Sequence, residues 1–433
     1  MSRRLKIITL GCSKNTVDTE HLLSQVQDSY EIVPEGYGGP VDVLLVNTCG
    51  FIGDAKEESI QTILEAAKSK AEGKAGKLLV FGCLSQRYPL ELPGLIPEVD
   101  GWFGARDLGP VVKALGCTPK PCGGRFVYGP RKPYAYLKIS EGCDRRCSYC
   151  AIPLIRGRHV SVPMEKLVDE ARALAAAGVK ELILIAQDTT FYGLDIYGKR
   201  SLAQLLRRLS AVEGIEWLRV HYSYPADFPE DVLDEMASNP KVCRYIDIPL
   251  QHVSDEVLSN MHRGVDGKWT RELIAKMREK VPGVALRTTL IVGHPGETTA
   301  HFNELLRFVE ESRFQRLGAF TYSEEEGTWG AEHLKDSVRR STKEKRLREL
   351  MELQSGISLA YNKSRIGSRI KVLADGLQGN ALVCRSEFES PEVDGEIIVK
   401  DLGEGTSPQD LVGKFLNVEI LEAYEYDLIA KRV

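Results

Sequence analysis

Cys143, Cys147 and Cys150 form a C-x3-C-x2-C run. Three thiolates so close together can wrap one small inorganic cluster. A cubane 4Fe-4S cluster normally takes four cysteines, so three local ligands leave one iron open to another molecule. Zinc would call for paired C-x2-C elements or histidine partners, and His159 is the only histidine nearby. Cys12, Cys49 and Cys83 lie far apart, so no local motif links them. Each nevertheless follows an apolar run: Ile-Ile-Thr-Leu-Gly-Cys12, Leu-Leu-Val-Asn-Thr-Cys49 and Leu-Val-Phe-Gly-Cys83. If those runs are parallel strands, the three thiols share the sheet edge where ligands of open α/β sheets bind. Helix N-termini at that edge favour anions, which suits a thiolate-bound cluster. The residues alone leave two readings open, a second three-thiolate site or three buried strand-end thiols.

The four other cysteines read as ordinary thiols. Cys117 and Cys122 sit in Cys-Thr-Pro-Lys-Pro-Cys within a linker, Cys243 in a strand core and Cys384 in the core of a small β barrel.

The elements that must position these groups fall into three blocks. Residues 1–117 show apolar runs at Leu5–Leu10, Val41–Val46 and Lys77–Phe81, with helical patterns after the first two. That alternation predicts a parallel-sheet α/β domain. Residues 118–133 are rich in Pro and Gly and read as a linker. Residues 134–364 contain six strand candidates, Tyr134–Ser140, Glu181–Ala186, Trp217–Tyr222, Arg244–Leu250, Val284–Val292 and Arg316–Tyr322. Six βα units fall short of the eight of a full barrel, so a partial, open (β/α)6 barrel is expected, followed by a charged helical stretch over 331–364. Residues 366–433 hold short strand candidates at Arg369–Leu373, Ala381–Cys384, Glu396–Val399 and Phe415–Glu422, which suggests a small all-β barrel.

With 433 residues, 43% of them hydrophobic and 27% charged, the chain is a multidomain globular protein rather than a disordered one. A net charge of −4 is too balanced for a whole-chain nucleic-acid binder. No apolar run reaches the roughly 18 residues that a membrane-spanning helix needs. The start, Met1 to Cys12, is basic and ends Leu-Gly-Cys, but its apolar part, Ile7–Leu10, is shorter than the roughly 7–15 residues of an export signal. We read it as a strand, with a cytoplasmic location and reduced cysteines expected.

Glu-Gly-Cys143-Asp-Arg-Arg-Cys147-Ser-Tyr-Cys150-Ala-Ile-Pro resembles the signature of the radical S-adenosylmethionine (SAM) superfamily. Gly11-Cys12-Ser-Lys-Asn15-Thr-Val-Asp18-Thr-Glu20 and Asn47-Thr-Cys49-Gly-Phe are similar to the N-terminal domain of the methylthiotransferase family. Within that family the chain resembles the branch that modifies an aspartate of small-subunit ribosomal protein twelve. Lys14-Asn15, Ala186-Gln187-Asp188 and Asp247-Ile-Pro-Leu-Gln251-His252 carry that closer likeness.

The resemblance implies that Cys143, Cys147 and Cys150 hold a 4Fe-4S cluster whose open iron is chelated by SAM. Reductive cleavage of SAM then yields a 5′-deoxyadenosyl radical able to take hydrogen from an unactivated carbon, a step the cofactor rather than the protein supplies. It implies a second 4Fe-4S cluster on Cys12, Cys49 and Cys83 that carries the sulfur, drawn from sulfide or a persulfide. A second SAM gives the methyl group, and flavodoxin or ferredoxin gives electrons. By the same resemblance Tyr149 packs near the adenine and Gln187 and Asp188 meet the SAM amino end. The loop Ile291–Glu297, with Gly293 and Glu297, also contacts SAM; relatives usually carry Phe where this chain has His294. His221, His252 and Arg287 lie at strand ends facing the expected site, and Arg156-Gly-Arg158-His159 reads as a solvated basic loop.

The tail resembles a TRAM domain, an oligonucleotide-binding-like barrel. It carries seven basic and thirteen acidic side chains. RNA binding needs a positive groove, whereas an acidic barrel steers toward a basic protein. The expected partner is therefore a basic ribosomal protein, free or in the assembling subunit, with no membrane and little role for RNA. A tRNA adenosine methylthiotransferase and a two-cluster iron–sulfur carrier are the alternatives.

Overall fold

The structure is a computed structural model that describes residues 3–120, 124–127, 129, 132–403 and 405–433. Its first block is a five-stranded parallel sheet in the order β2-β1-β3-β4-β5. The strands are β1 (Arg3–Thr9), β2 (Tyr30–Val33), β3 (Val41–Thr48), β4 (Ala75–Gly82) and β5 (Gly101–Phe103). Helices cover both faces, which is why β3 is apolar almost throughout. Val43 and Leu45 pack toward Leu22, Leu23 and Val26 of α1 (Ser13–Val26), whereas Leu44 and Val46 pack toward Ile63 and Ala66 of α2 (Gly53–Ala71). The strand order reverses between β1 and β3, and ligands of such sheets sit beyond the strand ends at that reversal. The sequence pattern misses the two edge strands, β2 and β5, because they are only four and three residues long.

The central sheet has six parallel strands in sequential order: β6 (Tyr134–Lys138), β7 (Glu181–Ile185), β8 (Trp217–Val220), β9 (Val242–Asp247), β10 (Ala285–Val292) and β11 (Arg316–Thr321). β6 and β11 are the free edges, so the barrel is open as expected. Side chains alternate between its faces. Leu137, Leu182, Leu184, Leu218, Ile246 and Leu286 pack outward among the helices. The inner face is mixed, and both of its ends are capped. At the C-terminal end of the strands, Val17 of α1 packs on Tyr136, Ile183 and Ile185. At the N-terminal end, Trp217 meets Phe415 of the tail edge-to-face at 4.8 Å.

The tail is a closed five-stranded barrel of β12 (Arg369–Gln378), β13 (Ala381–Arg385), β14 (Ile397–Asp401), β15 (Phe415–Ala423) and β16 (Leu428–Arg432). Pairing of β12 with β15 closes it. Its loop between β13 and β14 enters the central barrel. Glu387 pairs with Arg244, Glu389 with Arg316 at 2.9 Å and with Arg365, and Asp394 accepts from Tyr245 at 2.7 Å. Glu392 accepts from Tyr134 and Tyr136. Four of the thirteen acids serve the central barrel, so the tail's outer surface is less acidic than its composition.

Two residues of the linker pack onto the blocks it joins. Arg125 is buried between the blocks, where it bonds Glu20 and Glu170, and Phe126 packs on the first sheet. Arg125 and Phe126 are held there because the cation and the aromatic ring both find partners. Cys122 lies outside the described residues. No described helix is long and apolar enough to cross a membrane.

Candidate metal centres

The C-x3-C-x2-C loop leaves the mouth of the barrel just after β6. A two-residue ribbon, Ser140–Glu141 with Val160–Ser161, closes its base. Gly142 has φ +76°, and a Cβ there would overlap the Arg158 carbonyl, so glycine is required before Cys143. The Cys143 amide donates to Gly157 O at 3.0 Å, and Ser148 N donates to Met261 O at 3.0 Å. Gly330 N donates to Ser148 O at 2.7 Å, so the loop is held from both sides. Arg263 Nη1 donates to Cys147 Sγ at 3.4 Å and to Tyr149 Oη at 3.2 Å, and Tyr224 Oη lies 3.5 Å from the same sulfur.

The other three cysteines come from three segments. Cys12 follows β1, Cys49 follows β3, and Cys83 opens the short helix α3 (Cys83–Arg87) after β4. A Cβ on Gly11 would stand 3.0 Å from Cys49 Sγ, and one on Gly50 would stand 2.7 Å from the Leu84 backbone. The three segments thus touch in a chain. Gly82, at φ +116°, turns β4 into α3 where a Cβ would come within 2.6 Å of Thr48 O. Asn15 Nδ2 donates to Leu10 O at 2.8 Å and Thr48 O at 3.1 Å, tying the ends of β1 and β3. Ser59 of α2 clasps the Cys49 backbone, accepting from N at 3.0 Å and donating to O at 2.8 Å.

Burial pushes the thiol of Cys83 up to about 11 and that of Cys143 up to about 12, and it raises Cys49 and Cys150 as well. Without iron these are neutral thiols, and metal binding would release their protons. Among the described residues no three His, Cys, Asp or Glu side chains converge on a single ion. Each set offers three cysteine sulfurs, and a buried guanidinium donates to one sulfur of each, which suits a thiolate-bound group. At the barrel mouth, Gln187 Oε1, Gln251 Oε1 and Arg263 Nε are buried without a hydrogen-bond partner. Polar groups of that kind fit a polar ligand such as SAM.

The sets are joined by Arg156, which ends helix α4 (Ile152–Arg156) directly after the cysteine loop. The solvated-loop reading of this residue is wrong, because Arg156 is only 4% exposed. Its Nε donates to Cys83 Sγ at 3.3 Å, Nη2 to Asn15 Oδ1 at 2.7 Å, and Nη1 to Asp18 at 2.7 Å and Glu141 at 3.1 Å. Lys138 bonds both carboxylates as well. Two cations and two anions therefore balance in the buried seam.

The residues matched to SAM contacts are spread more widely. Gln187 Nε2 donates to Glu141 at 2.7 Å. Asp188 is buried, pairs with Arg145 at 2.8 Å and caps Thr190. Glu297 accepts from Gly293 N at 2.8 Å and pairs with Arg346 at 2.6 Å, and the Lys343 side chain packs over Gly293. His294 is buried edge-to-face with Tyr322. His252 lies 3.6 Å from Glu297. His221 bonds Ser390 of the tail loop at 2.8 Å, and Arg287 pairs with Asp247 at 2.8 Å. These three are held inside the scaffold. Arg145 within the cysteine loop, and Arg263 and Tyr224 beside it, were given no role by sequence reasoning. Arg263 and Tyr224 come from other βα loops, and no local pattern marks them.

Three stretches match known families: residues 137–309 the Radical SAM superfamily, 4–104 an uncharacterized protein family, UPF0004, and 366–433 the TRAM domain. Curated relatives run the full length. A protein of Flavobacterium johnsoniae named ribosomal protein uS12 methylthiotransferase RimO is 50% identical, covering 98% of this chain and 97% of its own. A protein of that name from Bacteroides fragilis is 47% identical, covering 99% of each. The chain belongs to the RimO family. Among solved structures, the radical SAM methyltransferase TsrM from Kitasatospora setae matches with a TM-score of 0.55 at 16% identity, covering 98% of this chain and 84% of its own. The cobalamin-dependent radical SAM enzyme OxsB matches at 0.52 and 13%, covering 79% and 56%. At such identities these structures support this chain's fold and nothing finer.

Proposed function

We propose that this chain is a radical SAM methylthiotransferase that acts on ribosomal protein uS12, inserting sulfur and a methyl group at the β carbon of an aspartate. The observation that carries the reading is the full-length identity of 47–50% to relatives of that name. The same relatives favour it over the tRNA and carrier alternatives.

In this reading Cys143, Cys147 and Cys150 hold a 4Fe-4S cluster, and Cys12, Cys49 and Cys83 hold a second one that presents the sulfur. The bound cofactor supplies the radical that takes a hydrogen from the substrate carbon, chemistry beyond acid–base side chains. The protein's own part is positioning. Arg263 and Tyr224 surround Cys147, and Arg263 also fixes the Tyr149 hydroxyl. Gln187 Oε1, free of protein partners and buried, offers an acceptor to the SAM amino end. Asp188 is taken up by Arg145 and Thr190, so its part is to hold the cysteine loop to the end of β7. Gly293 and Glu297 shape the loop after β10. The seam of Arg156, Asp18, Glu141 and Lys138 keeps the two sets face to face and dry, which guards a reactive intermediate.

Residues 1–117 form the sulfur-presenting block, 118–133 the strap, 134–364 the radical block and 366–433 the substrate-docking block. Glu422, Glu425 and Asp427 are exposed beside exposed Tyr424 and Tyr426, a surface suited to a cationic protein segment. Flavodoxin or ferredoxin is the electron donor, sulfide or a persulfide the sulfur source, and the cytoplasm the location. The test is the intact mass of purified uS12 after anaerobic incubation with reconstituted enzyme, SAM, sulfide and reductant. A gain of about 46 Da on one aspartate, SCH3 replacing H, is expected for radical insertion at carbon. An unchanged uS12 beside 5′-deoxyadenosine formation would overturn the substrate while leaving the radical chemistry.

A further inference from the structure

Each cysteine set receives a hydrogen bond from a buried guanidinium of another segment. Arg263 reaches Cys147 at 3.4 Å, and Arg156 reaches Cys83 at 3.3 Å. Arg156 is the unusual one, because it belongs to the helix that grows out of one cysteine loop yet donates to a sulfur of the other set. Its orientation is over-determined. Asp18 and Glu141 take Nη1, and Asn15 Oδ1 takes Nη2, which aims Nε at Cys83. Lys138 supplies the second cation of this seam. Arg156 acts on Cys83 both through its charge and through the directed N–H bond to sulfur. Hydrogen bonds to cluster sulfurs favour the reduced, more negative state and raise the potential.

We infer that Arg156 is a positioning residue that sets the reduction potential of the cluster on Cys12, Cys49 and Cys83, and does so from the radical block. The inference rests on the proposed reading of those three cysteines as ligands. Through Arg156 the placement of one cysteine loop is felt electronically at the other set. A residue of purely architectural value would alter stability and leave the potential alone.

The test is an EPR-monitored redox titration of the reconstituted full chain in two backgrounds. C143A/C147A/C150A keeps only the N-terminal set, and C12A/C49A/C83A keeps only the loop set. In the first background R156Q is expected to lower the potential enough for a tenfold change in the oxidised-to-reduced ratio, about 59 mV for one electron. R156K keeps the charge but lacks the planar fork, so it should shift the same way by less. In the second background neither change should move the potential. If R156Q fails to fold, R156K decides. A loaded N-terminal cluster whose potential stays put in the variants, or an equal shift of both clusters, overturns the inference. An N-terminal set that binds no iron in the first background overturns the ligand reading itself, and the inference falls with it.

Discussion

The two cysteine sets bring three thiols together by opposite routes. One is written in a single loop, Cys143 to Cys150, and is pinned by backbone bonds to Met261 and Gly330. The other is assembled from the ends of β1, β3 and β4 and exists only when the sheet has formed. The lesson is about where information lies. A loop motif carries its site in its own spacing, whereas a dispersed site is encoded by strand order. The order β2-β1-β3-β4-β5 makes the three cysteine-bearing strands adjacent, and the reversal between β1 and β3 opens the crevice they line.

The largest effect that separates the sets is on SAM cleavage. Replacing Cys143 with Ala should abolish it, and with it all product. Chromatography of 5′-deoxyadenosine checks this, and retained cleavage would break the comparison.

Next comes the far end of the barrel, which should matter to stability and not to either set. Glu389 is buried against Arg316 and Arg365. Glu389→Ala would strand two cations and should cost about 3–5 kcal/mol in urea titrations. Burial works to raise its carboxyl, but Arg365 and Arg316 overcome that and hold it down to about 2, below its ordinary 4.5. A depressed folded value means the contribution is complete above about 4.5 and fades as pH falls toward about 2. Wild type should therefore lose stability over that acid window more steeply than Glu389→Gln does.

Glycines give a sharper, smaller contrast. Gly142→Ala should strain the loop, and Gly11→Ala, at φ +87° against Cys49, should strain the dispersed set, each by about 1–3 kcal/mol. Iron content should fall by half or less in each, with the EPR signal of the other cluster retained. The smallest effect is Lys56→Ala. The Lys56 pair with Glu325 is shared with Arg87, so the change should cost about 1 kcal/mol or less by denaturation.

Much of this was legible in the residues. All six central strands follow from apolar runs, because their outward side chains are buried under helices and most of their inward ones are buried too. β2, β5 and β16 were not, being short or at the chain end. The six cysteines were legible, one set from spacing and the other from position after apolar runs. Arg156, Asp18, Glu141 and Lys138 were not. Nothing in a sequence reports that four charges from α1, β6, the loop after it and α4 will meet in one buried seam. The charge of the tail was legible but not its distribution, since a count is blind to which carboxylates turn inward onto arginines.

The most direct test of the account is one variant, Cys83→Ala, assayed for two products. The account predicts that 5′-deoxyadenosine still forms, while uS12 gains no methylthio mass. Full methylthiolation of uS12 by this variant would contradict the claim that the dispersed cysteines present the sulfur.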